Sequence, residues 1–202
     1  MKTDLSSIHH APLEQLIQWW AQPLKTLGEL GEDGSLDEIA YGLTLHQDGI
    51  RLLKRSLYDD TYRSDAALYF LSWPDTFDAE VQTALMSAFE SSNERTKYTA
   101  LWGFINAECF ALSELQLSGC RDSDNDRLAA LAMVYRCRWK SEQRIGLLRD
   151  ALQSSNPRTR EYACDEIGDF QLSELANDLT GLLDDDDADV VSAAECNLEF
   201  FD

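Results

Sequence analysis

The residues best equipped for chemistry in this chain of 202 residues are its carboxylates. Asp184-Asp185-Asp186-Asp187-Ala188-Asp189 is the densest run. A calcium loop needs oxygen ligands at alternate positions, glycine at the sixth and a bidentate glutamate at the twelfth. Counted from Asp184, Asp186 and Glu195 fall on ligand positions, but Ala188 has no side-chain oxygen and Asp189 stands where glycine belongs. Asp122-Ser123-Asp124-Asn125-Asp126 begins the same way and reaches Met133 at its twelfth position. Asp, Asn and Ser also cap a following helix by accepting bonds from its free N–H groups, and capping accounts for both runs. The adjacent Asp165 and Glu166 could share a proton as a catalytic dyad; on the outer face of a helix they are expected to be solvated. His9-His10 has no third metal ligand near it in sequence, and neither Gly-x-Ser-x-Gly nor a glycine-rich phosphate loop occurs. The expectation is therefore no catalytic residue, no metal and no cofactor.

Charge points to partners instead. The chain has 37 acidic and 17 basic side chains, a net charge of −20 and a pI near 4.3. Nucleic-acid affinity rests on neutralising phosphates with Lys and Arg, so DNA, RNA and anionic membranes should be repelled and basic proteins attracted. The charge is also uneven. Arg121 to Arg160 holds nine basic residues against five acidic ones, and no Lys or Arg follows Arg160. A molecule with a basic middle and an acidic end would steer a partner carrying a basic patch. An acidic terminal unit would equally serve as a polar cap that keeps the open end of an array soluble.

Five cysteines (Cys109, Cys120, Cys137, Cys164, Cys196) form no CxxC pair, and most fall in apolar patterns. They read as buried reduced thiols of a cytoplasmic protein. No run of about 18 apolar residues and no signal-peptide core is present, so a soluble, unexported protein is expected.

These side chains must be positioned by helices, because 10 Gly and 4 Pro are too few for the turns of a β-sandwich. Leu13, Leu16, Ile17 and Trp20 make one apolar stripe after Pro12, and Pro23 should end it. Gly28, Gly31 and Gly34 punctuate a loop. Ser35 and Glu38 form a capping box before Leu36, Ile39, Ala40 and Leu43. Asp48-Gly49 interrupts that stripe before Ile50, Leu53 and Leu57.

From about residue 50 the chain repeats. Ser91-Ser92-Asn93-Glu94-Arg95-Thr96-Lys97 returns further on as Ser154-Ser155-Asn156-Pro157-Arg158-Thr159-Arg160. Asn125 and Asp187 take equivalent places between and beyond, so the period is half the distance from Asn93 to Asn156. Leu-Ser-Glu-Leu also occurs twice, at 112–115 and 172–175. Each unit has a first helix (Val81, Leu85, Phe89; Leu147, Leu148, Leu152; Leu179, Leu182, Leu183) and a polar turn. A second helix follows, with small or branched residues four apart (Leu128, Ala132; Thr159, Ala163, Ile167; Val190, Ala194, Leu198). A period of this length is the mark of a solenoid.

Asn156, Thr159, Arg160 and Ala163 resemble the turn and second helix of HEAT repeats. Asn93, Thr96, Lys97 and Ala100 match with Lys for Arg, and Asp187, Val190 and Ala194 match with Val191 in the Arg place. The unit around Asp122 to Tyr135 aligns with a one-residue ambiguity. The resemblance is good from about 77 and fair from 50. It implies an all-α, right-handed α-solenoid of four to five helical hairpins, with residues 1–49 a divergent helical cap and 50–202 the array, together one compact domain. It is almost silent on function.

The expected function is binding of a protein with a basic surface. The candidate contact residues are Trp102, Glu161, Asp165, Glu166, Asp169, Asp184, Asp185, Asp186, Asp189 and Glu195. Small acidic chains of this kind resemble immunity proteins, which block a toxin by covering its cationic active site. The alternatives are a HEAT-like scaffold or assembly factor, and an enzyme similar to the alkylpurine DNA glycosylases. In the last, Trp102, Trp139 and Asp165 would meet the base, with Arg136 and Arg138 on phosphate.

Overall fold

In the computed structural model, which describes residues 5–22, 35–59 and 61–201, every regular element among those residues is a helix. The chain forms two compact units, Met1–Cys109 and Phe110–Asp202. In the first, a 3-10 turn (Leu5–His10) precedes α1 (Leu13–Ala21), α2 (Ser35–Thr44), α3 (Gln47–Ser56), α4 (Thr61–Leu71), α5 (Ala79–Phe89) and α6 (Glu94–Asn106). Neighbouring helices pair, and α2, α4 and α6 also stack on one another as a continuous row. The second unit has α7 (Glu114–Arg121), α8 (Asp126–Trp139), α9 (Arg144–Ala151), α10 (Pro157–Asp169), α11 (Ala176–Thr180) and α12 (Ala188–Leu198). There α8, α10 and α12 form the row, and α7, α9 and α11 pair with them. Stacked hairpins of this kind make an all-α solenoid.

The row works because small residues sit where helices meet. Ala132, Ala163 and Ala194 are fully buried, as are Leu128, Ile167 and Val190. Gly168 is closer still: a Cβ there would fall 1.8 Å from Asn197 Oδ1. Each of four second helices begins on an Asn or Asp. Asn93 Oδ1 accepts from the N–H groups of Arg95 and Thr96, Asn125 from Leu128, Asn156 from Arg158, and Asp187 from Asp189 and Val190. These four caps recur at the period seen in the sequence. Asn156 Nδ2 also donates to the Asp126 carbonyl at 2.9 Å, tying one turn to the preceding repeat. Replacing Asn156 with alanine should therefore lower stability by about 1–2 kcal/mol, measured by urea unfolding.

The period extends to where second helices stop. Glu108 and Gln171 hold equivalent places two repeats apart, and both adopt the left-handed conformation, with φ of 49° and 50°. The amides of Cys109 and Leu172 then reach back to the carbonyls of Phe104 and Ile167 at 2.9 and 3.0 Å, the six-to-one bond of a Schellman terminus.

Several expectations need correction. The two Leu-Ser-Glu-Leu strings fall out of step with the repeat and are not equivalent. In the first, Ser113 caps α7 in a capping box with Gln116 and Leu115 is 83% exposed; the second forms a 3-10 turn with Leu175 fully buried. Ile17 and Leu183 lie outside the core, since a stripe read at one spacing overshoots the width of the packed face. The break between α2 and α3 falls at Leu45-His46, and Gly49 lies inside α3. Glu38 Oε2 bonds His9 Nδ1 at 2.6 Å; the side chain of Ser35, and with it the expected capping box, lies outside the described residues, as do Pro23, Gly28, Gly31 and Gly34.

The adjacent tryptophans divide as their spacing requires. Trp20 is buried and donates to Ser56 Oγ at 2.9 Å, whereas Trp19 is half-buried. Cys120, Cys137 and Cys164 are buried, Cys109 is half-buried and Cys196 is exposed. Burial pushes the Cys137 and Cys164 thiols up to about 12. No helix among the described residues is long and apolar enough to cross a membrane.

Candidate functional site

Nine of the ten candidate contact residues lie in the second unit, on or just before α10 and α12, and the structure sorts them sharply. Glu166 is not solvated. It is 3% exposed and held by Arg138, whose Nε reaches both carboxylate oxygens at 3.0 and 2.9 Å and whose Nη2 reaches Oε1 at 2.7 Å. Asp169 takes the same guanidinium at 2.8 Å. Burial pushes the Glu166 carboxyl above its usual range, and Arg138 opposes that rise. The stack accounts for the difference from the expected solvation. Arg138 on α8 and Asp169 on α10 stand one repeat apart, so a position on the outer face of one helix meets its neighbour's equivalent.

The acidic run is likewise partly taken up. Arg160 places Nε and Nη2 on the two oxygens of Asp185, at 2.8 and 2.7 Å, and Nη1 on the Ser154 carbonyl. Asp185 also accepts from the Asp187 amide at 2.9 Å. The Arg160 bonds hold its carboxyl below the usual range. Arg158 Nη1 bridges Glu161 at 2.5 Å and Asp189 at 2.9 Å. Asp165 accepts from Asn197 Nδ2 at 3.0 Å across the α10–α12 contact, with its carboxyl pushed up first by burial.

Asp184, Asp186 and Glu195 remain: exposed carboxylates whose side chains make no ion pair or hydrogen bond among the described residues. Trp102, the tenth candidate, belongs to α6 in the first unit, where it is half-buried and meets Tyr98 edge-on at 6.5 Å. Of the nine candidates in the second unit, these three are the carboxylates left available to a partner. Among the described residues, no group of three His, Cys, Asp or Glu side chains converges as a metal site would require.

The expected charge separation is also corrected. Of the nine basic residues between Arg121 and Arg160, seven lie within ion-pair distance of a carboxylate: Arg121, Arg136, Arg138, Lys140, Arg149, Arg158 and Arg160. Arg136 and Lys140 share Glu114, and Arg149 takes Asp178. Four of these cations, Arg138, Arg149, Arg158 and Arg160, pair with carboxylates of the acidic segment, and the surplus left over is anionic. Arg136 and Arg138, assigned to phosphate in the glycosylase-like reading, are both paired with carboxylates.

Sequence reading placed Arg136 and Arg138 on phosphate and missed the pairing of arginines such as Arg138 and Arg160 with carboxylates of the next repeat. Their signal was available as residues of opposite charge or matching polarity spaced by one repeat, such as Arg138 with Asp169, or Asp165 with Asn197.

A comparison with curated proteins finds no match. Residues 114–199 match the family model described as HEAT repeats, a span running from the start of α7 to just beyond α12, so the second unit is built of HEAT-like helical repeats.

Proposed function

We propose that this protein is a non-catalytic, cytoplasmic binding module that covers a basic surface of a protein partner, in the manner of an acidic inhibitor or immunity protein that blocks a toxin's cationic site. The carrying observation is the sorting of carboxylates. Seven of the nine cations in the basic stretch lie within ion-pair distance of a carboxylate, whereas Asp184, Asp186 and Glu195 stay exposed. HEAT-like repeats supply a rigid helical frame, which suits presentation of such groups without an ordering cost on binding. Long-range attraction from a surplus of −20 speeds encounter and falls with added salt.

The test is co-purification at low salt with the full chain and a triple reversal, Asp184→Lys, Asp186→Lys and Glu195→Lys. Recovery of a basic protein that the reversal weakens tenfold or more, with association slowed by salt and melting unchanged, supports the proposal. Equal recovery by both chains, or a partner lacking a basic surface, overturns it. A scaffold or assembly factor within a larger machine is the second reading, favoured by the same frame; recovery of several subunits of one assembly would identify it.

A further inference from the structure

A second site lies in the first unit, remote in character from the acidic turns and independent of the function proposed for them. Asp65 on α4 is 4% exposed, and neither of its carboxylate oxygens has a hydrogen-bond partner of normal geometry. A buried carboxylate in that state is costly. Its nearest cation is Arg95 on α6, with Nε 3.4 Å from Oδ2. Arg95 is itself held loosely: its side chain is 58% exposed and its guanidinium rests 4.2 Å from the centroid of the exposed Tyr62 ring.

Asp65 lines a pocket of about 220 Å³ between α4, α5 and the start of α6. Leu57, Leu68 and Ala88 supply an apolar wall, and Asp65, Ser87 and Thr96 supply oxygens. That division matches a side chain with a methylene stem and a compact, donor-rich cationic head. Burial pushes the Asp65 carboxyl above its usual range, against the weaker pull of Thr96 and Arg95, as expected of a group short of partners.

We propose that this pocket receives the alkylammonium group of a lysine side chain presented by a partner protein, with Asp65 as its counter-ion and Arg95 as a placeholder that swings away. The stem lies along Leu57 and Leu68, and the ammonium displaces the guanidinium from Oδ2. Arg95 keeps its ring contact with Tyr62 and its access to water, so it leaves at small cost. The ammonium gives Asp65 the donors it lacks.

The experiment uses the full chain, labelled with nitrogen-15, titrated with N-acetyl-lysine methylamide while amide shifts are followed. Saturable shifts clustered at residues 64–68 and 87–96 are expected. Asp65→Asn, which keeps the shape and removes the uncompensated charge, should weaken binding at least tenfold while leaving the melting temperature the same or higher. Arg95→Gln should tighten binding about threefold by removing the competing cation. Absence of saturable shifts, unchanged binding in Asp65→Asn, or weaker binding in Arg95→Gln overturns the proposal. A parallel titration with 1,5-diaminopentane separates the sources: binding of the free diamine alone overturns the lysine assignment. None of these changes touches Asp184, Asp186 or Glu195, so the two sites fail or succeed separately.

Discussion

Arg138→Met will lower folding stability by about 3–5 kcal/mol, among the largest effects of any single substitution outside the apolar core. Glu166 has only 4% of its side chain exposed, and Arg138 donates three hydrogen bonds to its carboxylate. Removing the cation strands a buried charge, which costs far more than the pair contributed. The double change Arg138→Met with Glu166→Leu should recover most of the loss, because replacing both partners by apolar groups leaves nothing unsatisfied. Urea unfolding of the two variants checks this.

The same pair sets a pH signature. Burial raises the Glu166 carboxyl above its ordinary 4.5 in the folded chain, so the folded state binds its proton more tightly than the unfolded state does. Its contribution to stability is therefore present below about 4.5 and is lost as pH rises through the raised value. Without Arg138 the rise is greater. The deficit of Arg138→Met relative to the parent should be full at pH 7 and should shrink toward pH 4. A deficit that stays constant with pH would show that lost packing, not the stranded charge, is responsible. Asp185, Asp78 and Glu114, held low by Arg160, Lys54 and Lys140, act in the opposite sense. They weaken both proteins as pH falls, which is why the difference between the two is the quantity to follow.

Gly49→Ala is the second large effect, a loss of about 3 kcal/mol. A Cβ at this position in α3 would lie 2.2 Å from the Leu43 carbonyl oxygen and 2.9 Å from both its carbonyl carbon and its Cα. All three are backbone atoms of α2, so no side chain can turn aside and the α2–α3 junction must open. Overpacking of this kind reaches the upper part of its usual range when the obstacle is rigid. Gly119→Ala and Gly146→Ala are the controls. Nothing lies within 4 Å of a Cβ at either, and both sit within helices, α7 and α9. Each should raise stability by about 0.5–1 kcal/mol through helix propensity alone. Thermal melts of the three variants distinguish a close approach from a generic glycine effect.

The parts of this fold legible in the sequence are those governed by short-range rules. Asn93, Asn125, Asn156 and Asp187 could be placed one by one, because a cap is a bond between residues two or three apart. Leu128, Ala132, Ala163, Ile167, Val190 and Ala194 were readable as a buried face because helical spacing alone defines it. The site was less legible. Glu166 and Asp185 look, along the chain, like their neighbours Asp165 and Asp186, and only the stack reveals which carboxylate meets an arginine from another helix. Asp65 gave no local sign at all. Its isolation results from the joint placement of α4 and α6, and a residue's lack of partners is a property of three-dimensional neighbours. The repeated Leu-Ser-Glu-Leu carries the complementary lesson. Identical residues out of step with the period leave Leu115 in water and Leu175 in the core, so identity without register carries no structural equivalence.

The buried thiols of the second unit bear on how the protein weathers oxidation. Burial holds the Cys137 and Cys164 thiols at about 12, far above neutral pH, so the thiolate is scarce there, and the thiolate is the form that reacts with peroxides and disulfides. Oxidants reach Cys196 on the open face of α12 while the repeat interior stays chemically silent. Damage to the inner pair then reports that the helices have parted, which makes these sulfurs a record of how often the unit breathes.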